Sequence, residues 1–157
     1  MALCHFFGTR YEKRYYMEKS TDELMKILNS KKSYNEFFEE EVGELCFSSV
    51  ADYLEVLLNE KHLKKSDVIR KSNLDKNYAY QIFNGNKLNP SRNKMLMLAF
   101  GMELSLKETR KLLKVCCLPD LYVRSPRDSI IIFGLNKKMS LIDVNESLSD
   151  FSFEILE

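Results

Sequence analysis

LKKSDVIRKSNLDKNYAYQIFNG, running from Leu63 to Gly85, is the stretch on which the fold of this chain turns. It reads as two short helices, near 65 to 72 and 76 to 84, separated by Ser72-Asn73-Leu74. Asn73 can take the left-handed conformation in that turn nearly as glycine does. Asp75 is a good cap for the second helix, Gly85 a good terminator, and Pro90-Ser91 opens a further helix. With Asp75 as cap, Lys76, Tyr80 and Asn84 recur every four residues and Asn77 and Gln81 do the same. All five therefore share one outward stripe.

Outward from this segment, helix starts recur in one chemical form, a serine followed three residues later by an acid. Ser20 with Glu23, Ser33 with Glu36, Ser49 with Asp52, Ser105 with Glu108, Ser125 with Asp128, and Ser140 with Asp143 each precede helical apolar spacing. They predict further helices near 21 to 29, 34 to 42, 49 to 60, 91 to 101, 106 to 114, 126 to 137 and 141 to 150. Only Ser129 to Phe133 has a β-branched run, and the upstream Ser125, Pro126 and Asp128 make it helical. Expected core faces are Val50, Leu54, Leu57 and Leu58; Met95, Leu98, Ala99 and Met102; and Leu106, Thr109 and Leu112 or Leu113. Phe100-Gly101 with Leu104-Ser105-Leu106 is echoed by Phe133-Gly134 with Met139-Ser140-Leu141, suggesting two similar hairpins on one core.

The net charge of +1 hides an uneven distribution. Residues 49 to 117 carry thirteen Lys/Arg against seven Asp/Glu, whereas 1 to 48 carry seven against nine and 118 to 157 four against seven. Between Lys61 and Lys94 stand nine basic residues and only Asp67 and Asp75, so positive potential concentrates where a phosphate backbone would dock. In the N-terminal part, Glu36, Glu39, Glu40, Glu41 and Glu44 read as the exposed face of a helix whose Phe37 and Phe38 pack inward.

From Leu63 to Ser91 the chain has helix-turn-helix spacing, and it resembles the XRE or lambda-repressor-like (Cro-like) regulator family over about 50 to 113. The resemblance rests on Asn73, Leu74, Asp75, Ile82, Gly85 and Pro90-Ser91, continuing through Leu98-Ala99-Phe100-Gly101 and Leu104-Ser105-Leu106. The family usually has Gly at Asn73, Gln at Lys65 and Glu at Phe83, and its loop corresponding to Gly85 to Pro90 is slightly shorter. It also pairs a small Ala in the first helix with a large Ile in the second; here Ile69 and Ala79 exchange those sizes, which conserves volume if they touch.

The resemblance implies an all-α, five-helix DNA-binding core at 49 to 117. Residues 1 to 48 would form an N-terminal arm and helical extension, and 118 to 157 a C-terminal helical extension packed on the core. It implies sequence-specific binding of double-stranded DNA as a cytoplasmic transcriptional regulator, acting as a homodimer. The helix at about 75 to 84 would sit in the major groove, with Lys76, Asn77, Tyr80, Gln81 and Asn84 as base contacts. Lys suits guanine O6 and N7, and Asn or Gln suits adenine N6 and N7. Lys64, Lys65, Lys87, Arg92 and Lys94 are the phosphate contacts, which position the protein without reading sequence.

The rival is a protein-interaction module, antitoxin-like or a signalling adaptor, presenting Tyr78, Tyr80 and Phe83, or binding through its N- or C-terminal helices. Enzymatic chemistry has little to stand on: His5 and His62 are the only histidines, and there is neither a Gly-rich phosphate loop nor a nucleophile elbow. No metal or cofactor is expected. Cys4, Cys46, Cys116 and Cys117 lack paired ligand spacing and read as reduced, mostly buried side chains. No apolar run reaches membrane-spanning length. The aromatic start, Phe6, Phe7, Tyr11, Tyr15 and Tyr16, reads equally as an arm, a dimer contact or sequence upstream of a functional start at Met17.

Overall fold

The serines mark the helix starts. In a computed structural model that describes residues 19–45 and 49–157, every regular element among the described residues is an α-helix. In order they are α1 (Thr21–Ser30), α2 (Tyr34–Leu45), α3 (Val50–Glu60), α4 (Lys65–Lys71), α5 (Lys76–Phe83), α6 (Arg92–Gly101), α7 (Leu106–Val115), α8 (Pro126–Lys137) and α9 (Leu141–Asp150). Complete reciprocal capping boxes open α1, α3, α7 and α9. At α8 the box is half made: the Asp128 N–H donates to Ser125 Oγ, but the Asp128 carboxylate is taken elsewhere. None of the helices among the described residues is long and apolar enough to cross a membrane. Cys4, His5, Cys46, Met17 and the aromatic start lie outside the described residues.

The chain divides into two units, residues 1–48 and 49–157. In the first, α1 packs on α2. Phe37 is buried and Phe38 half-buried, each with its ring centroid 6.1 Å from that of Tyr34. Glu36, Glu39 and Glu40 are exposed, as a solvated face requires, and Lys31 pairs with Glu40. Glu41 is a correction to that face. It lies one turn beyond Phe37, on the same inward side, and is 5% exposed. Its carboxylate is met there by Lys19 Nζ at 2.6 and 2.7 Å.

In the second unit one apolar core runs from Tyr53 to Leu156. α3 packs on α5 and α7, α4 on α6, α6 on α7 and α9, α7 on α8, and α8 on α9. Leu54, Leu57, Leu58, Met95, Leu98, Ala99, Met102, Thr109, Leu112 and Leu113 are buried as the periodicity predicts, whereas Val50 and Leu106 only flank the core. Ile69 and Ala79 both lie in it. Gly101 is required by a close approach: a Cβ there would stand 2.7 Å from the Val68 carbonyl oxygen and 2.8 Å from Ser72 Cβ, so α4 and α6 nearly touch. Buried Ser72 donates its hydroxyl to the Ile69 carbonyl at 3.0 Å.

Helix ends repeat one device. His62, Glu103, Cys117, Lys138 and Ser152 are left-handed, and the N–H of the apolar residue after each (Leu63, Leu104, Leu118, Met139, Phe153) donates back to the carbonyl five residues earlier. The expected echo between α6–α7 and α8–α9 holds at this turn and at the following serine cap. Its glycines are out of register, since Gly101 stands two residues before its turn residue and Gly134 four before Lys138. The cysteines depart from expectation: Cys117 is exposed, and Cys116 is half-buried, with burial pushing its thiol up to about 12.

Candidate nucleic-acid interface

α5 is fixed at both ends by local chemistry. Asp75 accepts the Tyr78 N–H at 2.9 Å to open it. Gly85, at φ 74, turns the chain away, and the Lys87 N–H donates to the Gln81 carbonyl at 3.0 Å, holding the following loop against the helix. Ala79, Ile82 and Phe83 are buried on the inner side. On the outer side Lys76, Asn77, Gln81 and Asn84 are exposed, while Tyr80 is half-buried and packs against the core. Four of the five expected base-reading side chains are therefore open to solvent. Phe83, expected on the rival's protein-binding surface, is a core residue, because it lies one position beyond Ile82 on the buried side.

Three of the lysines named from sequence lie over aromatic rings of this helix. Lys64 is exposed. Lys65, the first residue of α4, places Nζ 5.5 Å from the Phe83 ring centroid. Lys87 from the loop and Lys94 from the first turn of α6 lie over the ring of Tyr78, at 5.5 and 5.9 Å. Two ammonium groups thus lie within cation–π range of a single aromatic ring. Tyr78 is the residue that sequence reasoning passed over for this role. Its two lysines reach it through tertiary packing, which helical periodicity does not encode.

Arg92 does not join them. Its guanidinium grips Asp128, Nη1 to Oδ1 at 3.0 Å and Nη2 to Oδ2 at 2.8 Å. It also donates to the carbonyls of Pro119 at 2.9 Å and Asp120 at 3.1 Å. Its planar fork matches a carboxylate better than a single ammonium does, and the expected phosphate role passes to a structural one.

The remaining basic residues of the segment sort the same way. Lys61 pairs with Glu108 at 3.0 Å, Arg70 with Asp67 at 3.5 Å and Lys71 with Glu103 at 2.6 Å. The Lys71 ammonium holds the Glu103 carboxyl below its usual range. Burial alone would raise Glu108, but the Ser105 N–H and hydroxyl together with Lys61 outweigh it and bring it below that range. Lys64, Lys65, Lys76, Lys87 and Lys94 make no ion pair among the described residues. Four of the nine cations between 61 and 94 are thus spent on the fold, and the five left over are those around α5. Among the described residues no three or more His, Cys, Asp or Glu side chains gather to hold a metal ion.

Compared with known proteins, the chain matches no family model, no curated protein and no solved structure.

Proposed function

We propose that this chain binds double-stranded DNA sequence-specifically as a cytoplasmic transcriptional regulator, with α4 and α5 used as a lambda-repressor-like helix-turn-helix. α5 enters the major groove and presents Lys76, Asn77, Gln81 and Asn84 to base edges, with Tyr80 beside them. Lys64 and Lys65 on one flank and Lys87 and Lys94 on the other neutralise phosphates. A single module makes a small interface, so the reading includes two copies on adjacent half-sites.

The observation that carries the reading is the set of five lysines without a carboxylate partner among the described residues, Lys76 on α5 and the others at the start of α4, in the loop after α5 and on α6, together with the uncharged hydrogen-bonding side chains Asn77, Gln81 and Asn84 exposed on α5 or at its end. Lysines grouped without acids give the surface a positive potential, and a polyanion is the partner that such a potential attracts. Selection of bound duplexes from a random pool tests it. An enriched consensus is the expected result, with Gln81→Ala relaxing one base position and Lys65→Ala weakening all duplexes alike. A pool that yields no bound duplex overturns the reading in favour of a protein-binding module.

A further inference from the structure

The loop between α7 and α8 carries a charge pattern that the two-helix reading does not use. Residues 118–128 hold two acids and two arginines in a short span, Asp120, Arg124, Arg127 and Asp128, with Arg92 and Arg110 reaching in from α6 and α7. Each is spent, with one exception. Arg110 Nε lies 3.0 Å from both Asp120 carboxylate oxygens. Arg92 takes Asp128, whose Oδ2 also accepts the Tyr122 N–H at 3.0 Å. Arg127 donates to the Glu154 carbonyl at 2.8 Å and to Asn93 Oδ1 at 3.1 Å. Arg124 is exposed and meets no described carboxylate.

The same bonds fix where this loop is. Arg92 and Lys94 stand two residues apart in the first turn of α6, so their side chains leave the helix on opposite sides. Lys94 lies over Tyr78 beside α5, and Arg92 holds the carbonyls of Pro119 and Asp120 on the other flank. The loop is therefore seated against the helix turn that borders the basic surface. Both of its carboxylates are neutralised by arginines, and next to Arg124 stand the exposed Tyr122 and Val123. Within residues 119–124 the one charge without a described partner is the Arg124 guanidinium.

From this placement we infer that the 119–124 loop extends the nucleic-acid-binding surface beyond α4 and α5, with Arg124 contacting a backbone phosphate on the far side of the α6 first turn. The inference rests on the DNA-binding reading above. The Arg92–Asp128 pair then has a definite purpose, which is to hold the loop in place for that contact. Because phosphate contacts carry no sequence information, Arg124 adds affinity and footprint length without altering base preference.

The test uses the full chain and a duplex that the wild-type protein binds, titrated across salt concentrations. Arg124→Ala is expected to lower the magnitude of the log-log salt slope by about 0.9, the value for one phosphate contact. Affinity should fall several-fold, equally for cognate and unrelated duplexes, and hydroxyl-radical protection should shorten at one edge. Arg124→Lys should restore most of the slope. Wild-type binding with an unchanged slope and footprint in Arg124→Ala overturns this inference alone. Failure of the wild-type chain to bind any duplex overturns the DNA-binding reading and this inference together.

Discussion

Two regions of the second unit handle charge in opposite ways. Around α4 and α5, five lysines stand without acidic partners among the described residues, three of them over aromatic rings. Where α6 meets α8, Arg92, Arg110, Arg127, Asp120 and Asp128 are bound to one another, to backbone carbonyls or to Asn93. Arg92 and Lys94, two residues apart, belong to different regions. The difference teaches that net charge is a poor guide here: at +1 the chain is nearly neutral, yet five of the nine cations between residues 61 and 94 stand without an acid while those of the joint are fully engaged. Internal pairing demands geometry, which suits arginine's planar fork; lysine's flexible, strongly hydrated ammonium suits a surface open to water.

The largest expected effect breaks the joint. Asp128→Ala leaves the mostly buried Arg92 guanidinium without its carboxylate and removes the acceptor of the Tyr122 N–H, so unfolding stability should drop by about 3 kcal/mol. Lys94→Ala, which removes a half-buried side chain without an acidic partner, should stay within about 1 kcal/mol. Urea unfolding with unchanged m-value measures both, and equal losses would erase the distinction between the two regions.

Next comes the backbone beneath each region. Gly101→Ala drives a methyl toward the Val68 carbonyl and Ser72 Cβ, where main chain must yield, and should cost about 2 to 3 kcal/mol. Gly134→Ala meets first a methyl of Val144 and then the Phe100 ring; side chains give more readily than main chain, and about 1 to 2 kcal/mol is expected. Thermal or urea midpoints that rank the two the other way would show that α4 sits less tightly on α6 than the distances imply.

The turns supply a smaller and opposite effect. Lys138 and Asn73 have φ values of 54° and 51°, a conformation that costs an ordinary L-residue about 1 to 2 kcal/mol and asparagine less. Lys138→Gly should therefore raise stability by about 1 kcal/mol, and Asn73→Gly by less, when the two variants are compared by urea midpoint.

The smallest effect concerns acid. Glu103 and Glu108 are held below their usual pKa when folded, by Lys71 for the first and by Ser105 with Lys61, against burial, for the second. Such groups contribute stability that is complete above the ordinary glutamate pKa of about 4.3 and is lost as pH falls through their lowered folded values. The urea midpoint should therefore decline below about pH 4, and Glu108→Gln should shallow that decline. An identical acid slope in the variant would remove Glu108 from the account.

Much of this architecture was legible because it is local. Serine caps, the i+3 acids and the apolar spacing located the helices of both units to within a few residues, and the turn at Asn73 with the cap at Asp75 marked α4 and α5. Most of the outward stripe of α5 followed from the same periodicity. What escaped depends on tertiary pairing. Arg92 read as one more cation in a basic run, because its partner Asp128 lies in another helix and looked like an ordinary capping acid. Glu41 read as surface although it stands one turn beyond the inward Phe37, because the Lys19 ammonium that lets its carboxylate be buried reaches it only through packing. Tyr78 gained its role only from Lys87 and Lys94, which packing brings to it. Cys117 is exposed because it occupies the left-handed turn after α7, a position its residue type does not announce.

The most direct test of the central claim is duplex affinity as a function of salt for the wild-type chain and for the triple variant Lys76→Ala, Lys87→Ala, Lys94→Ala. The account predicts a linear fall of log affinity with log salt in the wild type, at about 0.9 per neutralised phosphate, and a clearly shallower line in the variant with the fold intact by circular dichroism. Parallel lines, or wild-type binding indifferent to salt, would contradict it.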